Sequence, residues 1–406
     1  MTVQGIVLLL AALIILWGAR NRIPDFITLG VSSVIVGLAL RWSPGTIALT
    51  IVRTVFSGET LELAACVGLI RILGSVLQRY GTLETMASSL KRLLKSSRYT
   101  IMAVPALLGS LSAFGGAIIS APLVDTAGDR LGFSPTRKAA VNMVFRHSVF
   151  FLYPFSTTIL FTATIARVSP VEIVGQLWPL GIIMFVTSYL RLVKNSHEAV
   201  DPTPTTYSTA LKEFLVSSGP LSVPVVLTCA LGVNLTIALA AGVIMAMAIS
   251  RKSEGFSLNV IWKSVDYPSI ATVLGVMVFK AFVVQMDFLP VAMDSLSRRG
   301  VPLEVLAGVG IFLFAFVSGA IQTGIAVALP MLLAAAPTYE HILLYASFTY
   351  MIGFSAYLMS PLHLCQVLTN RYFKVDLAPV LREYWPVPVV TFLSGIALHL
   401  IHRAAL

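Results

Sequence analysis

The stretch RHSVFFLYPFSTTIL, residues 146–160, places a guanidinium, an imidazole, a proline and three consecutive hydroxyls inside a long apolar run. Hydroxyls and freed backbone carbonyls can bind a small cation, whereas a guanidinium and an imidazole can donate hydrogen bonds to an anion. An unpaired backbone group in hydrocarbon is costly, so a broken helix there needs a partner. The stretch therefore predicts a broken helix at YPFSTT, 153–158, that contributes to a binding site. Its candidate ligands are Arg146, His147, Ser156, Thr157 and Thr158.

A second break follows the same pattern in LMSPLH, 358–363. Pro154 in the first break corresponds to Pro361 in the second, and the Trp-Pro pair at 178–179 recurs at 385–386 with the same offset. Chance matches of common membrane residues are the alternative explanation, but one offset is kept over a long stretch. The pattern favours an internal duplication, which is typical of transporters.

Two further apolar segments are interrupted by small and polar residues, SLSAFGGA at 110–117 and SGAIQTGI at 318–325. Such interruptions predict hairpins that enter and leave from one side, with their tips near the helix breaks. Amphipathic segments at 82–98 and 289–300 precede the hairpins and are expected to lie in the membrane interface. The tips and the second break add the candidate ligands Ser110, Ser112, Gly115, Gly116, Ser318, Gln322, Thr323, Ser360 and His363.

The composition indicates a polytopic all-α membrane protein. Of 406 residues, 57% are hydrophobic and only 11% are charged, and the mean hydropathy is +0.88. Alternating ten-residue strands, which would mark an outer-membrane barrel, are not seen in the sequence. The net charge of +10 is attributed to basic cytoplasmic loops facing anionic lipid rather than to nucleic-acid binding. The candidate spans, about ten transmembrane helices, are 5–19, 25–43, 60–79, 139–166, 171–192, 219–232, 235–250, 267–288, 341–367 and 387–403.

The chain divides into two repeats of inverted topology. The first is 1–193 and the second is 215–406, with a polar cytoplasmic linker at 194–214 between them. Each repeat carries one re-entrant helical hairpin followed by a helix that is broken at the midplane. The hairpins are at about 100–127 and 302–336, and the broken helices are at 139–166 and 341–367.

Basic residues predict the orientation. Clusters at 91–98, 130–138 and 371–382 flank the hairpins and breaks, and placing them in the cytoplasm puts both termini outside. The two halves then have opposite orientations. We expect a multi-pass protein of the prokaryotic cytoplasmic (inner) membrane.

The segments GGAIISAPLVDTAGDRLGFSPTRKAAVNMVFRHSVFFLYP and YLMSPLHLCQVLTNRYFKVD resemble a prokaryotic integral-membrane family, domain of unknown function 401. That family is placed in the ion transporter superfamily with divalent anion/sodium symporters and gluconate permeases. The resemblance implies a scaffold and a transport domain, re-entrant hairpins, elevator-like movement and a homodimer. Dicarboxylate relatives bind substrate and sodium through Ser-Asn-Thr motifs at the hairpin tips, where this sequence has 112–116 and 320–324 instead. Ser112 and Thr323 are the nearest hydroxyl equivalents.

We expect a secondary active transporter for a small anion such as an organic acid, coupled to Na⁺ or H⁺ through an elevator-type alternating-access mechanism. Half-helix N-termini and an excess of basic residues near the site favour an anion. No organic cofactor, nucleic-acid partner or catalytic residue is expected. The partners are the substrate and the lipid bilayer, and the resemblance adds a second copy of the chain. Sodium could bind near Ser156, Thr157, Thr323 and Ser360.

Three alternatives stay open. A cation/proton antiporter would want an Asp or Glu at the midplane, and neither break offers one. A lipid-phosphate (polyprenyl-phosphate-like) translocase could grip phosphate with Arg71, Arg146 and Lys280, although Arg71 and Lys280 could instead serve as structural ion-pair partners. An intramembrane enzyme would need a nucleophile and a base, such as Ser156 with His147 or His363.

The three cysteines show no paired or metal-ligand spacing. They are expected to be small buried hydrophobes. They are Cys66, Cys229 and Cys365.

Overall fold

The computed structural model describes residues 3–21, 23–110, 116–196, 207–251, 256–286 and 303–406. Every regular element within these residues is helical. The helices are α1 Val3–Arg20, α2 Asp25–Ala39, α3 Pro44–Val55, α4 Gly58–Arg79, α5 Thr82–Leu94, α6 Ser97–Gly109, α7 Gly116–Arg130, α8 Pro135–Ser148, α9 Thr157–Ala166, α10 Pro170–Leu192, α11 Tyr207–Cys229, α12 Leu235–Ser250, α13 Asn259–Lys263, α14 Tyr267–Val283, α15 Leu303–Ser318, α16 Ile321–Leu333, α17 Tyr339–Met359, α18 Leu364–Phe373, α19 Leu377–Tyr384 and α20 Pro386–Ala404.

Two groups of helices are apparent from their packing. In the first, α4 packs on α12 and α14, α2 packs on α1 and α14, and α11 packs on α5 and α12. In the second, α8 packs on α6, α7, α10, α18 and α19, and α17 packs on α15, α16 and α20. Contacts of α5 with α6, of α1 with α15, of α9 with α4 and of α16 with α14 join the two groups. Because α9 and α16 both border the candidate site, the site lies where the groups meet.

Five helices within the described residues are long and apolar enough to cross a membrane. The sequence predicted about ten spans, and the difference arises because several predicted spans form shorter helices. Helix α2 has 15 residues and α12 has 16, and a 15-residue helix reaches only about 22 Å. Large apolar side chains such as Trp17, Ile244 and Trp262 are exposed, as expected for surfaces in contact with lipid.

One pair of helices, α9 and α18, shares its boundaries at the offset found in the sequence. Helix α9 starts at Thr157 and α18 starts at Leu364, with the same separation as Pro154 and Pro361. Each helix ends at a non-glycine residue in the left-handed conformation, Arg167 with φ 57° and Lys374 with φ 54°, and these two residues keep that offset. A left-handed residue at this position stops a helix and pairs its last carbonyls.

The predicted linker and connectors are described in part. Helix α11 begins at Tyr207, inside the predicted linker 194–214, because the segment that follows the Pro- and Thr-rich stretch contains helix-forming residues. Helix α5 forms most of the predicted amphipathic segment 82–98. The segment predicted at 289–300 lies outside the described residues.

Candidate functional site

The first break separates α8 from α9. Helix α8 ends at Ser148, a single 3₁₀ turn follows, and α9 starts at Thr157 after a non-helical segment. The Ser156 hydroxyl caps α9 by accepting a hydrogen bond from the Ile159 amide at 3.2 Å. The Tyr350 hydroxyl donates to the carbonyl of Phe150 at 2.8 Å, so a side chain from α17 pairs a backbone group of the interrupted segment.

The second break separates α17 from α18. Helix α17 ends at Met359, and α18 begins at Leu364 with His363 as its N-terminal flanking residue. The Ser360 hydroxyl donates to the carbonyl of Phe316 at 2.6 Å and accepts from the amide of Leu362 at 3.2 Å. The break is therefore tied to the end of α15, which carries Phe316.

The turn between α15 and α16 touches both breaks. Gly319 has φ 66°, and a Cβ added there would lie 2.8 Å from the carbonyl carbon and oxygen of Leu362, so only glycine fits this contact with the second break. On the other side, Gln322 Nε2 donates to Thr158 Oγ1 of α9 at 3.0 Å. One short turn therefore connects the N-terminal ends of α9 and α18.

The remaining predicted ligands of this turn have partners nearby. The Ser318 hydroxyl donates to the carbonyl of Phe314 at 2.7 Å and accepts from the amide of Ala320 at 3.2 Å, so it shapes the turn. Thr323 is buried, and its hydroxyl lies 3.5 Å from Oδ2 of Asp25 on α2. Thr157 is half-buried at the start of α9.

The first predicted hairpin tip is described only at its edges. The Ser110 hydroxyl donates to the carbonyl of Leu107 at 2.7 Å, and Gly116 begins α7. Ser112 and Gly115 lie outside the described residues.

Arg146, His147 and His363 form a second cluster, beside the second break. All three are buried, and the two imidazole centroids lie 4.7 Å apart at 85°. The ring of Tyr357 lies 3.7 Å from that of His363, and Phe150 packs on His147 at 4.9 Å. The predicted ligands thus separate into a hydroxyl and amide cluster at α9 and a guanidinium and imidazole cluster between the end of α8 and the start of α18.

The suggestion that Arg71, Arg146 and Lys280 converge on one phosphate does not match their placement. Arg71 pairs with Asp266, and Lys280 Nζ lies 3.0 Å from Oε1 of Glu59. Glu59 lies in the first turn of α4 and Arg71 lies about 18 Å further along the same helix, which puts the two pairs at separate heights. The alternative reading, that Arg71 and Lys280 form structural ion pairs, matches these contacts.

Several residues at or near the site were not predicted from the sequence. Asn142 of α8 accepts from Ser120 Oγ at 2.6 Å and donates to the carbonyl of Ala117 and to Thr369 Oγ1, both at 3.1 Å. Asp25 approaches the site from a distant helix, and no spacing in the sequence connects it with Thr323. Two of the cysteines depart from expectation, because Cys229 is exposed and Cys365 is half-buried.

Comparison with known proteins places the fold. The crystal structure of the YdaH transporter from Alcanivorax borkumensis is similar to this chain with a TM-score of 0.58 at 15% sequence identity, covering 89% of this chain and 88% of that one. At this identity the likeness concerns the fold alone. No curated protein matches the sequence. Residues 4–401 match the family model described as protein of unknown function DUF401, and the chain belongs to that family.

Proposed function

We propose that the chain is a secondary active transporter of the prokaryotic cytoplasmic membrane that moves a small anion, such as an organic acid, coupled to Na⁺ or H⁺. The observation that carries the proposal is the α15–α16 turn, which contacts the N-terminal ends of both α9 and α18. Helix N-termini carry partial positive charge, and interrupted helices that meet inside a bundle are a transporter arrangement. The similarity in fold to a transporter supports the same reading.

The anion would bind at α9. Thr158 and Gln322 already face each other there, and Gln322 can donate to an anion through its amide. A coupling Na⁺ would take oxygen ligands from Ser156, Thr157, Thr323 and Ser360.

The two groups of helices would act as scaffold and transport domain. In an elevator mechanism, the group that contains both breaks would slide past α4 and α14. The chain would consist of two repeats of inverted topology, with both termini outside. Arg167, at the end of α9, lies 3.4 Å from Glu59 at the start of α4, so this contact crosses the boundary between the groups. A homodimer, implied by the family resemblance, would keep the scaffolds fixed.

Thermal unfolding of the detergent-purified chain would test the proposal against succinate, gluconate, phosphate, sulfate and a prenyl phosphate, each with Na⁺ or K⁺ at two pH values. A ligand at a hundred times its Kd adds about 2.7 kcal/mol of stability, which moves the melting temperature measurably. The expected result is a shift with one anion that grows with Na⁺ or at lower pH. Thr158→Val should remove the shift, whereas Thr164→Val, a matched change on the same helix, should keep it. A shift with prenyl phosphate alone would overturn the proposal in favour of a lipid-phosphate translocase.

A second candidate, cation/proton antiport, is favoured by Asp25. A carboxylate beside Thr323 is the kind of group that exchanges a proton for a cation inside a membrane protein. In proteoliposomes with a pH gradient, Asp25→Asn should leave anion-dependent uptake without cation dependence if the chain is a symporter. The antiporter would be supported if the wild type carries a cation flux that needs no anion and Asp25→Asn loses that flux.

A further inference from the structure

His147, His363 and Cys365 bring three metal-ligating atoms together inside the protein. Their ligand atoms all lie within 4.8 Å of one another. Both histidines are fully buried, whereas Cys365 is half-buried. The three residues come from α8, from the second break and from the first turn of α18, so the fold brings them together from opposite halves of the chain.

The hydrogen bonds around His147 orient it as a metal ligand. Its Nδ1 lies 2.7 Å from the carbonyl of Met143, which can accept only if Nδ1 carries the proton. The lone pair then resides on Nε2, which is buried and has no hydrogen-bond partner. A backbone carbonyl that fixes the tautomer in this way is the usual support behind a metal-bound imidazole. A neutral imidazole with its lone pair facing the cluster cannot donate to an anion from that atom.

His363 has the same unmet requirement. Both of its ring nitrogens are buried without a hydrogen-bond partner, although buried polar groups are normally paired. The rings of Tyr357 and Phe150 cover the imidazoles and would exclude water from the cluster. A metal ion bound to one nitrogen of each imidazole would give the lone pair of that nitrogen a partner.

The equivalent positions in the first half of the chain carry a different set of donors. At the offset that relates Pro154 to Pro361, Ser156 corresponds to His363 and Thr158 corresponds to Cys365, so they occupy the same places at the start of α9. Oxygen donors suit hard cations such as Na⁺, whereas imidazole and thiolate suit soft or borderline transition metals. The starts of α9 and α18 therefore carry donors of opposite preference at equivalent positions.

We propose that His147, His363 and Cys365 bind one soft transition-metal ion, best matched by Cu(I). Arg146 directly precedes His147 at the end of α8 and is itself buried, so the cluster already borders a positive charge. Cu(I) bound to one thiolate and two neutral imidazoles adds no net charge beside that guanidinium, whereas a divalent ion adds one. Binding would release the Cys365 thiol proton. The half-buried side of Cys365 is the route by which the ion would enter.

The test measures metal retention by the full-length protein in detergent. Under reducing conditions, the protein competes with the Cu(I) chelator bicinchoninate, and the bound copper is then counted by mass spectrometry. The wild type should retain one equivalent, and Cys365→Ser and His363→Gln should each retain none. Cys229→Ser is the matched control because Cys229 is an exposed cysteine outside the cluster, and it should retain copper like the wild type.

X-ray absorption of the copper-loaded wild type gives a readout that does not depend on the variants folding. One sulfur and two imidazole nitrogens around copper would support the site. Copper bound through oxygen alone, or equal retention by the wild type and both ligand variants, would overturn it. Retention of one Zn²⁺ but no Cu(I) would overturn the assignment of a monovalent ion. Metal retention is measured without transport. Absence of bound copper would therefore leave the proposed anion transport unaffected, and absence of an anion effect would leave the proposed metal site unaffected.

Discussion

Glu59 and Asp266 occupy equivalent positions in the two halves of the chain, and each pairs with a base on the other's helix. Glu59 begins α4 and pairs with Lys280 near the end of α14, whereas Asp266 precedes α14 and pairs with Arg71 of α4. The start of each helix therefore lies beside the later part of the other, so α4 and α14 are antiparallel. The two repeats of inverted topology proposed above would require equivalent helices to run in opposite directions.

Removing one base from this arrangement should destabilise the fold. Lys280→Met removes the buried base 3.0 Å from Glu59, which keeps only the largely exposed Arg167 at 3.4 Å. We expect a loss of about 1–2 kcal/mol in the free energy of unfolding, less than for a fully buried pair because Glu59 keeps contact with solvent. Unfolding in detergent by SDS titration measures it. Adding Glu59→Gln to Lys280→Met should recover part of the loss, and a further loss in the double variant would contradict the pairing.

The second pair predicts a pH dependence. Burial raises the pKa of Asp266, but hydrogen bonding from Ser269 and the charge of Arg71 outweigh it, so its pKa lies below the ordinary value of 3.8. A depressed pKa in the folded state stabilises the protein above the unfolded-state pKa, and this contribution disappears as pH falls through the folded pKa. The difference in melting temperature between the wild type and Asp266→Asn should therefore be full near neutral pH and should shrink below the ordinary pKa. A difference that grows on acidification would contradict the assignment.

Gly109 is required by a close approach of two backbones. A Cβ at Gly109 of α6 would lie 2.0 Å from the carbonyl oxygen of Arg146 on α8, and a backbone oxygen cannot move aside as a flexible side chain can. Gly109→Ala should lower the free energy of unfolding by at least about 2 kcal/mol, as overpacking does. Gly175→Ala is the control, because nothing lies within 4 Å of its added Cβ on α10. That control should be neutral or should stabilise the helix by about 0.5–1 kcal/mol.

Asn142 is the polar group that connects α7, α8 and α18. Asn142→Leu would leave Ser120, Thr369 and the carbonyl of Ala117 without this partner in a fully buried site. Each such group costs about 1–3 kcal/mol, so we expect a loss of at least about 2 kcal/mol in unfolding.

Thr349→Val is the matched control for Asn142→Leu. Thr349 is the equivalent of Asn142 in the second half of the chain and is equally buried, but its hydroxyl bonds only to carbonyls of its own helix, Tyr345 and Ala346, at 2.9 Å. Thermal unfolding should show the smaller loss for this variant. Equal losses would mean that burial alone, and not the link between helices, sets the cost.

The interruptions of the helices could be predicted, because they depend on proline and clustered hydroxyl residues that are close together in the sequence. LMSPLH at 358–363 contains the non-helical residues between α17 and α18, and YPFSTT at 153–158 contains the end of the non-helical segment between α8 and α9. The offset between the two halves also relates the starts of α9 and α18 and of α10 and α19, whereas α8 and α17 begin at a different separation. The broken helix predicted at 139–166 forms α8 and α9, but α8 begins earlier, at Pro135, because a proline is favoured in the first turn of a helix.

The contacts between distant segments could not be predicted. His147 and His363 meet because α8 and α18 pack together, and no periodicity relates one position to the other. Cys365 resembled any small apolar residue until the fold placed it beside two imidazoles. Asp25 is similar, because its own surroundings in the sequence indicate only the start of a helix. A single sequence indicates local backbone conformation clearly. It does not indicate which distant segments come into contact, because that depends on how whole helices pack.

The α15–α16 turn has a thermodynamic consequence, because the same few residues contact α9 through Gln322 and the second break through Gly319. An anion that draws Gln322 away from Thr158 would displace the turn against Leu362, next to His363. Ligands at the two breaks are then energetically linked, and linkage is reciprocal: the factor by which the anion changes the affinity for the metal equals the factor by which the metal changes the affinity for the anion.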